Sequence, residues 1–122
     1  MGARKFTDLR VYNEALDLCV EIYRRTAGYP REEQLGLVLQ MRRAASSIGA
    51  NIAEGFGRWS RRDQARFYEI AKGSADELRH FIILSGRLGF LKPDAALDAS
   101  VDGLCGGLFK LRQVVLSGPP RG

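Results

Sequence analysis

Arg58, Trp59, Arg61, Arg62, Arg66 and Tyr68 bring guanidinium groups and aromatic rings together within eleven positions of the chain. Guanidinium binds phosphate or carboxylate through paired, planar hydrogen bonds, and an indole ring stacks on unpaired bases. Such a run has the chemistry to hold an anion, single-stranded nucleic acid above all. Charge is concentrated in the same region. Of a formal net charge of +5, the stretch from Gln40 to Arg66 carries +4, with Arg42, Arg43, Arg58, Arg61, Arg62 and Arg66 against Glu54 and Asp63. The competing reading is a solvated helix start whose arginines pair with acids nearby or across a subunit interface. Against it, arginines at a helix N-terminus oppose the helix dipole, and few acids lie close by in sequence. Anion binding is the expected role. RNA is favoured over duplex DNA, because no recognition-helix arrangement for a DNA groove can be picked out.

Catalytic chemistry is harder to assemble. His80 is the only histidine, and no Cys–His or carboxylate–His pairing accompanies it. Glu77-x-x-His80 matches one quarter of the ligand pattern of a di-metal bundle, but the other helices supply no inward histidine. Gly55-Phe56-Gly57 follows a helix rather than a strand, so it reads as a helix stop and not as a phosphate loop. Cys19 and Cys105 are isolated and are expected to be reduced thiols that pack as small hydrophobes. No catalytic residue, metal or cofactor is expected, and no enzyme activity.

A third group of residues points to self-association. From Ala44 to Ala53 no residue is charged, over roughly 15 Å of helix at about 1.5 Å per residue. Gln40, Ser47, Asn51 and Glu54 form a small polar track there, with Ala50 and Ala53 nearby. An outer helix of a monomeric bundle shows water a charged side, so these six residues are the expected contact with further copies of the chain. The alternative is burial of the segment by the neighbouring helices of the same subunit. Glu54, in a last turn whose dipole it opposes, needs a partner in Arg58, Arg43 or the amides of a neighbouring helix. It serves either as a register lock between subunits or as a cap within one.

The elements that must position these residues follow from periodicity. The 122 residues make one domain by length. Apolar positions at spacings of three and four recur four times, giving helices at about 7–27, 31–54, 60–88 and 94–116. Their stripes are Leu9, Tyr12, Leu16, Cys19 and Tyr23, broadened by Ala15 and Ile22; Val38, Met41, Ala45, Ile48 and Ile52; Phe67, Ala71, Ser74, Leu78, Phe81, Ser85 and Leu88; and Leu97, Val101, Leu104, Leu108, Leu111 and Val115. Thr7 or Asp8, Pro30, Ser60 and Pro93-Asp94 are the expected starts, and Gly28, Gly55 to Gly57 and Gly89 the stops. Gly103, Gly106 and Gly107 weaken helix 4 unless they mark close packing, and residues 118–122 are expected to be disordered. No alternating strand pattern occurs. The fold is therefore all-α, an antiparallel up-down-up-down four-helix bundle. No run is long and apolar enough to span a membrane. The first residues also lack the apolar stretch of a secretion signal, so the cytosol is the expected compartment.

The chain resembles the four-helix bundle proteins encoded in 23S rRNA intervening sequences, a family also similar to the accessory proteins of diversity-generating retroelements. The resemblance runs through Phe6, Leu9, Tyr12, Pro30 and Leu37 into a core signature. That signature comprises Gln40, Arg42, Arg43, Ala44, Ser47, Ile48, Asn51, Ile52, Ala53, Glu54, Gly55, Gly57 and Arg58. It continues through Ser60, Phe67, Ala71, Gly73, Ser74, Glu77 and Leu78 to Gly89. The resemblance implies a non-enzymatic bundle that assembles into a ring, a homopentamer. Its retroelement relatives imply a basic surface for nucleic acid and a reverse transcriptase as partner. Gly49 stands where the family often has proline, and the glycines between 103 and 107 are not typical of it. The expectation is a ring-forming RNA-binding bundle with its contacts at Arg42, Arg43, Arg58, Trp59, Arg61, Arg62 and Arg66. The alternative is a protein-binding adaptor, such as an accessory subunit of a reverse transcriptase.

Overall fold

The structure, a computed structural model, describes residues 2–118. Four helices make it up: α1 (Arg10–Thr26), α2 (Leu37–Phe56), α3 (Arg61–Arg87) and α4 (Ala95–Ser117). Short 3-10 turns at Phe6–Asp8 and Arg31–Glu33 precede α1 and α2, and no strand occurs among the described residues. Each helix packs on its two neighbours in the order α1–α2–α3–α4–α1, around one core to which all four contribute. Side-chain contacts fix the directions. Ser47 bonds Ser74 midway along α2 and α3, and Ser85 Oγ reaches Met41 Sδ at one end. Gln64 Nε2 donates to the Phe56 carbonyl at the other end. Arg61 reaches from the start of α3 to the end of α4, and Arg25 from the end of α1 to the start of α4. All four neighbouring pairs are antiparallel, as the up-down-up-down reading requires.

The α2 stripe is buried as expected, with Val38, Met41, Ala45, Ile48 and Ile52 in the core, as are Leu97, Val101, Leu104 and Leu108 of α4, whose last two stripe residues, Leu111 and Val115, are half-buried. The α1 stripe is only partly so: its broadening residues Ala15 and Ile22 are buried, and Leu9, Tyr12 and Cys19 pack partly against the core. Ala15, Leu18, Ile22 and Thr26 face the core, while Leu16 and Tyr23 are 47% and 46% exposed. Helix α1 is apolar over more of its circumference than one core can cover, and the half between α2 and α4 wins. On α3 the same shift puts Tyr68, Ala75 and Ile82 inside in place of Phe67, Ser74 and Phe81, and leaves Leu88 exposed.

Helix ends differ in instructive ways. Pro30 starts only the turn Arg31–Glu33, and α2 begins six residues later than expected, at Leu37. Neither Thr7 nor Asp8 caps α1; Asp8 Oδ2 instead accepts the amides of Arg4 and Lys5. Ser60 Oγ caps α3 through the Asp63 amide, and Asp94 Oδ1 caps α4 through Ala96 and Leu97. Gly89, at φ +80°, closes α3: its amide bonds the Gly86 carbonyl, and the Phe90 amide bonds Ser85. This is the left-handed glycine stop, whereas Gly28 has no positive φ.

Gly55 lies inside α2 rather than ending it. A Cβ there would stand 2.8 Å from Phe67 Cβ and 2.9 Å from Tyr68 Cε1, so glycine is what lets α2 and α3 close at their junction. Gly107 plays the same part where α4 meets Val11 of α1, while Gly103 and Gly106 face open space. No helix among the described residues is long and apolar enough to cross a membrane. Of the segment expected to be disordered, residues 119–122 lie outside the described residues.

Candidate nucleic-acid interface

The antiparallel order gathers the C-terminal ends of α2 and α4 and the N-terminal end of α3 at one end of the bundle. The seven sequence-predicted contact residues do not all go there. Arg42 lies about 20 Å away along α2, at about 1.5 Å per residue. Its Nε donates to Thr26 Oγ1 at 3.0 Å and its Nη2 to the Tyr23 carbonyl at 3.2 Å, with the guanidinium 4.6 Å over the Tyr23 ring. It ties the end of α1 to α2, because the last carbonyls of a helix lack partners and carry partial negative charge. Arg43, next to it, is exposed and makes no ion pair among the described residues.

At the corner itself two further arginines have work within the chain. Arg61 Nη1 donates to the Val115 carbonyl at 2.9 Å, capping the last turn of α4. Arg58 bonds Glu54 Oε1 at 2.7 Å and lies 4.6 Å over the Phe67 ring. The helix-dipole objection raised by the sequence is thus answered for both. They follow or face the negative ends of α2 and α4, although they neighbour the positive end of α3.

Three residues remain available. Trp59 is 91% exposed. Arg62 and Arg66 are exposed and make no hydrogen bond or ion pair among the described residues. They stand one turn apart on α3, where positions i and i+4 lie about 6 Å apart. An exposed indole three and seven positions before two unspent guanidiniums has the chemistry to stack one base and hold the phosphates flanking it.

The residues expected to touch further copies divide as well. Ser47 bonds Ser74 at 2.8 Å, and Asn51 Nδ2 donates to the Ser47 carbonyl and hydroxyl, so this part of the track is satisfied within the subunit. Glu54 has its partner in Arg58. Gln40 and Ala50 are exposed, and Ala53 is half-buried. Ala53 and Ala50 line a groove of about 280 Å³ with Phe6, Tyr12, Leu16 and Cys19 between α1 and α2. Burial pushes the Cys19 thiol above its ordinary pKa, and the Cys105 thiol also, with Asp76 adding to it there. His80 and Glu77 join no cluster of three or more metal-ligating groups among the described residues.

Sequence reasoning missed the exposed apolar residues that flank α2: Leu16, Val20 and Tyr23 on α1, and Ile70, Leu84 and Leu88 on α3. The available signal was the width of the apolar stripes on those two helices, wider than a core-facing stripe needs.

The comparisons with known proteins bear on fold and family. The family model described as 23S rRNA-intervening sequence protein matches residues 7–102. A crystal structure of a protein of unknown function from the S23 ribosomal protein family of Bacteroides thetaiotaomicron is 22% identical, with a TM-score of 0.61. The match covers 88% of this chain and 95% of that one. At that identity the likeness is one of fold alone. No curated protein matches.

Proposed function

The chain belongs to the 23S rRNA-intervening sequence protein family, and from that premise we propose that it is a self-assembling bundle that binds single-stranded RNA, with no catalytic step of its own. The observation that carries the reading is the corner where Trp59, Arg62 and Arg66 are exposed together with no partner among the described residues. Assembly into a ring would set several such corners on one rim and turn a weak local contact into an avid one. Cytosolic RNA is the ligand this reading assigns.

Trp59 is the only tryptophan, so its fluorescence reports on the site directly. Titration with a single-stranded RNA oligonucleotide should quench it, and a duplex of the same sequence should quench it less. Binding should weaken with salt, the slope of log K against log salt falling by about 0.7 for each phosphate contact removed by Arg62→Ala or Arg66→Ala. Affinity indifferent to salt and to both substitutions would refute the reading. An acidic protein surface, for instance on a reverse transcriptase, is the alternative partner for the same corner. A protein partner retained after nuclease treatment would favour it.

A further inference from the structure

We infer that a single strand held at the Trp59 corner runs on from it along the outer seam between α3 and α4, where the ring of Phe109 stacks a second base. This rests on the reading of the corner as an RNA site and deepens it, by giving the strand a path and a footprint.

Contacts between α3 and α4 fix the seam. Arg112 bonds Glu69 at 2.6 Å, and Arg79 pairs with Asp102. On α4, Asp102, Cys105, Phe109, Arg112 and Leu116 alternate at spacings of three and four, so Phe109 and Leu116 lie on the side that meets α3. On α3, Arg62 stands seven residues before Glu69 and Arg66 three before it, which puts both on the side that Glu69 marks.

Heights agree as well. In an antiparallel pair one helix counts up while the other counts down. Phe109 is three residues before Arg112, which sets it level with Lys72, three after Glu69. It is also seven after Asp102, which sets it level with Lys72 again, seven before Arg79. The same two counts both set Leu116 level with Ala65, between Arg62 and Arg66.

Phe109 is 58% exposed and Leu116 44%. A helical side chain leans over the turn that precedes it. For Phe109 that turn carries Gly106, which faces open space, so position 106 puts no side chain in the way of a base approaching the ring.

Charge divides the seam. Arg62 and Arg66 have no ion pair among the described residues. Further along, Glu69 pairs with Arg112, Lys72 with Asp76 and Arg79 with Asp102. The corner end therefore offers charge for phosphates, and the Phe109 end offers a flat apolar ring. A ligand of charge alone is served only at the first end, whereas a strand of bases and phosphates is served at both. From Arg62 to the level of Phe109 is about 15 Å along α3. At about 3.4 Å per stacked nucleotide, roughly four or five nucleotides span it.

Phe109→Ala tests this with single-stranded RNAs of about three and about eight nucleotides, titrated against Trp59 fluorescence. Affinity for the longer RNA should fall about tenfold with its salt slope unchanged, and affinity for the shorter should match wild type. Phe109→Leu keeps an apolar side chain without a ring, so it should lose as much. Trp59→Phe/Phe109→Trp moves the only indole to the seam, and the longer RNA alone should quench it. The inference is overturned, while the corner stands, if Phe109→Ala or Phe109→Leu holds the longer RNA as wild type does. An equal loss at both lengths, a smaller salt slope in Phe109→Ala, or a relocated indole that stays unquenched would overturn it too. So would quenching of that indole by anionic phospholipid vesicles and not by RNA, which would mark a lipid surface. Trp59 of the wild type quenched by neither RNA would overturn both readings.

Discussion

Replacing Gly55 by alanine isolates the contact that shapes the corner. Two effects compete. Alanine favours a helix over glycine by about 1 kcal/mol, since Gly55 sits in regular helix with no positive φ. Against this, the added methyl would lie 2.8 Å from Phe67 Cβ, 2.9 Å from Tyr68 Cε1 and 3.2 Å from the Gln64 carbonyl oxygen. The first and third of these are fixed to the α3 backbone. The second belongs to a ring 1% exposed, with no room to turn aside. Relief therefore requires the helices to part, and overpacking of this kind costs about 1–3 kcal/mol. The upper half of that range applies, which leaves a net loss of about 1–2 kcal/mol. Urea unfolding followed by far-UV circular dichroism, at fixed protein concentration, measures it. The helices would part at the base of the Trp59 loop, so the free-protein fluorescence of Trp59 should change as well. A Gly55→Ala protein as stable as wild type or more so would refute the close-approach argument.

Gly103→Ala and Gly106→Ala should do the opposite, each stabilising by about 0.5–1 kcal/mol in the same assay, because both positions face open space. Arg42→Ala should cost about 1–2 kcal/mol through the lost bonds to Thr26 and Tyr23 and leave RNA affinity unchanged in the Trp59 titration, whereas Arg62→Ala should do the reverse. Asp94 predicts a pH effect: the Leu97 amide, Arg25 and the Ala96 amide hold its carboxyl below the usual range. A carboxyl depressed on folding adds stability that is complete above the unfolded pKa of about 3.9 and disappears as pH falls through the folded value. Asp94→Asn keeps the cap and loses the charge, so its melting temperature should fall less steeply than that of wild type below about pH 4.

Helix number, order and direction were legible because four apolar periods and strong end signals such as Ser60, Asp94 and Gly89 act locally. Which half of α1 and α3 faces the core was not legible from periodicity. Leu16 is as apolar as Leu18, and only the positions of α2 and α4 decide between them. The start of α2 was misplaced for a related reason. Glu32 and Glu33 favour a helix N-terminus, but the chain turns at Gln34 to Gly36 before α2 begins. The arginine cluster was visible as composition, yet the sequence held no sign that Arg61 would cap a helix through a carbonyl 54 residues later. Free and occupied arginines separate only once the antiparallel packing brings foreign carbonyls within reach.

That separation has a consequence for affinity. Once Arg42, Arg58 and Arg61 are assigned to contacts within the chain, one corner offers RNA two unspent guanidiniums and one indole. A stacked base contributes about 1–3 kcal/mol, and such a corner alone binds weakly at physiological salt. If the proposed ring sets several corners on one rim, a long RNA bridges them, and linked sites gain about 10²–10⁴-fold over a single one. Leu16→Glu, which puts a charge into the groove that the expected contact residues Ala50 and Ala53 line and leaves the corner untouched, should then lower affinity for a long single strand by about 10²-fold or more. Its affinity for an oligonucleotide only long enough to cover one corner should match wild type. Fluorescence anisotropy with labelled RNAs of the two lengths gives the ratio. Equal losses at both lengths would mean that Leu16→Glu harms the corner itself, and no loss at either would mean that a single copy suffices. Only the length-dependent loss fits a surface whose strength comes from repetition.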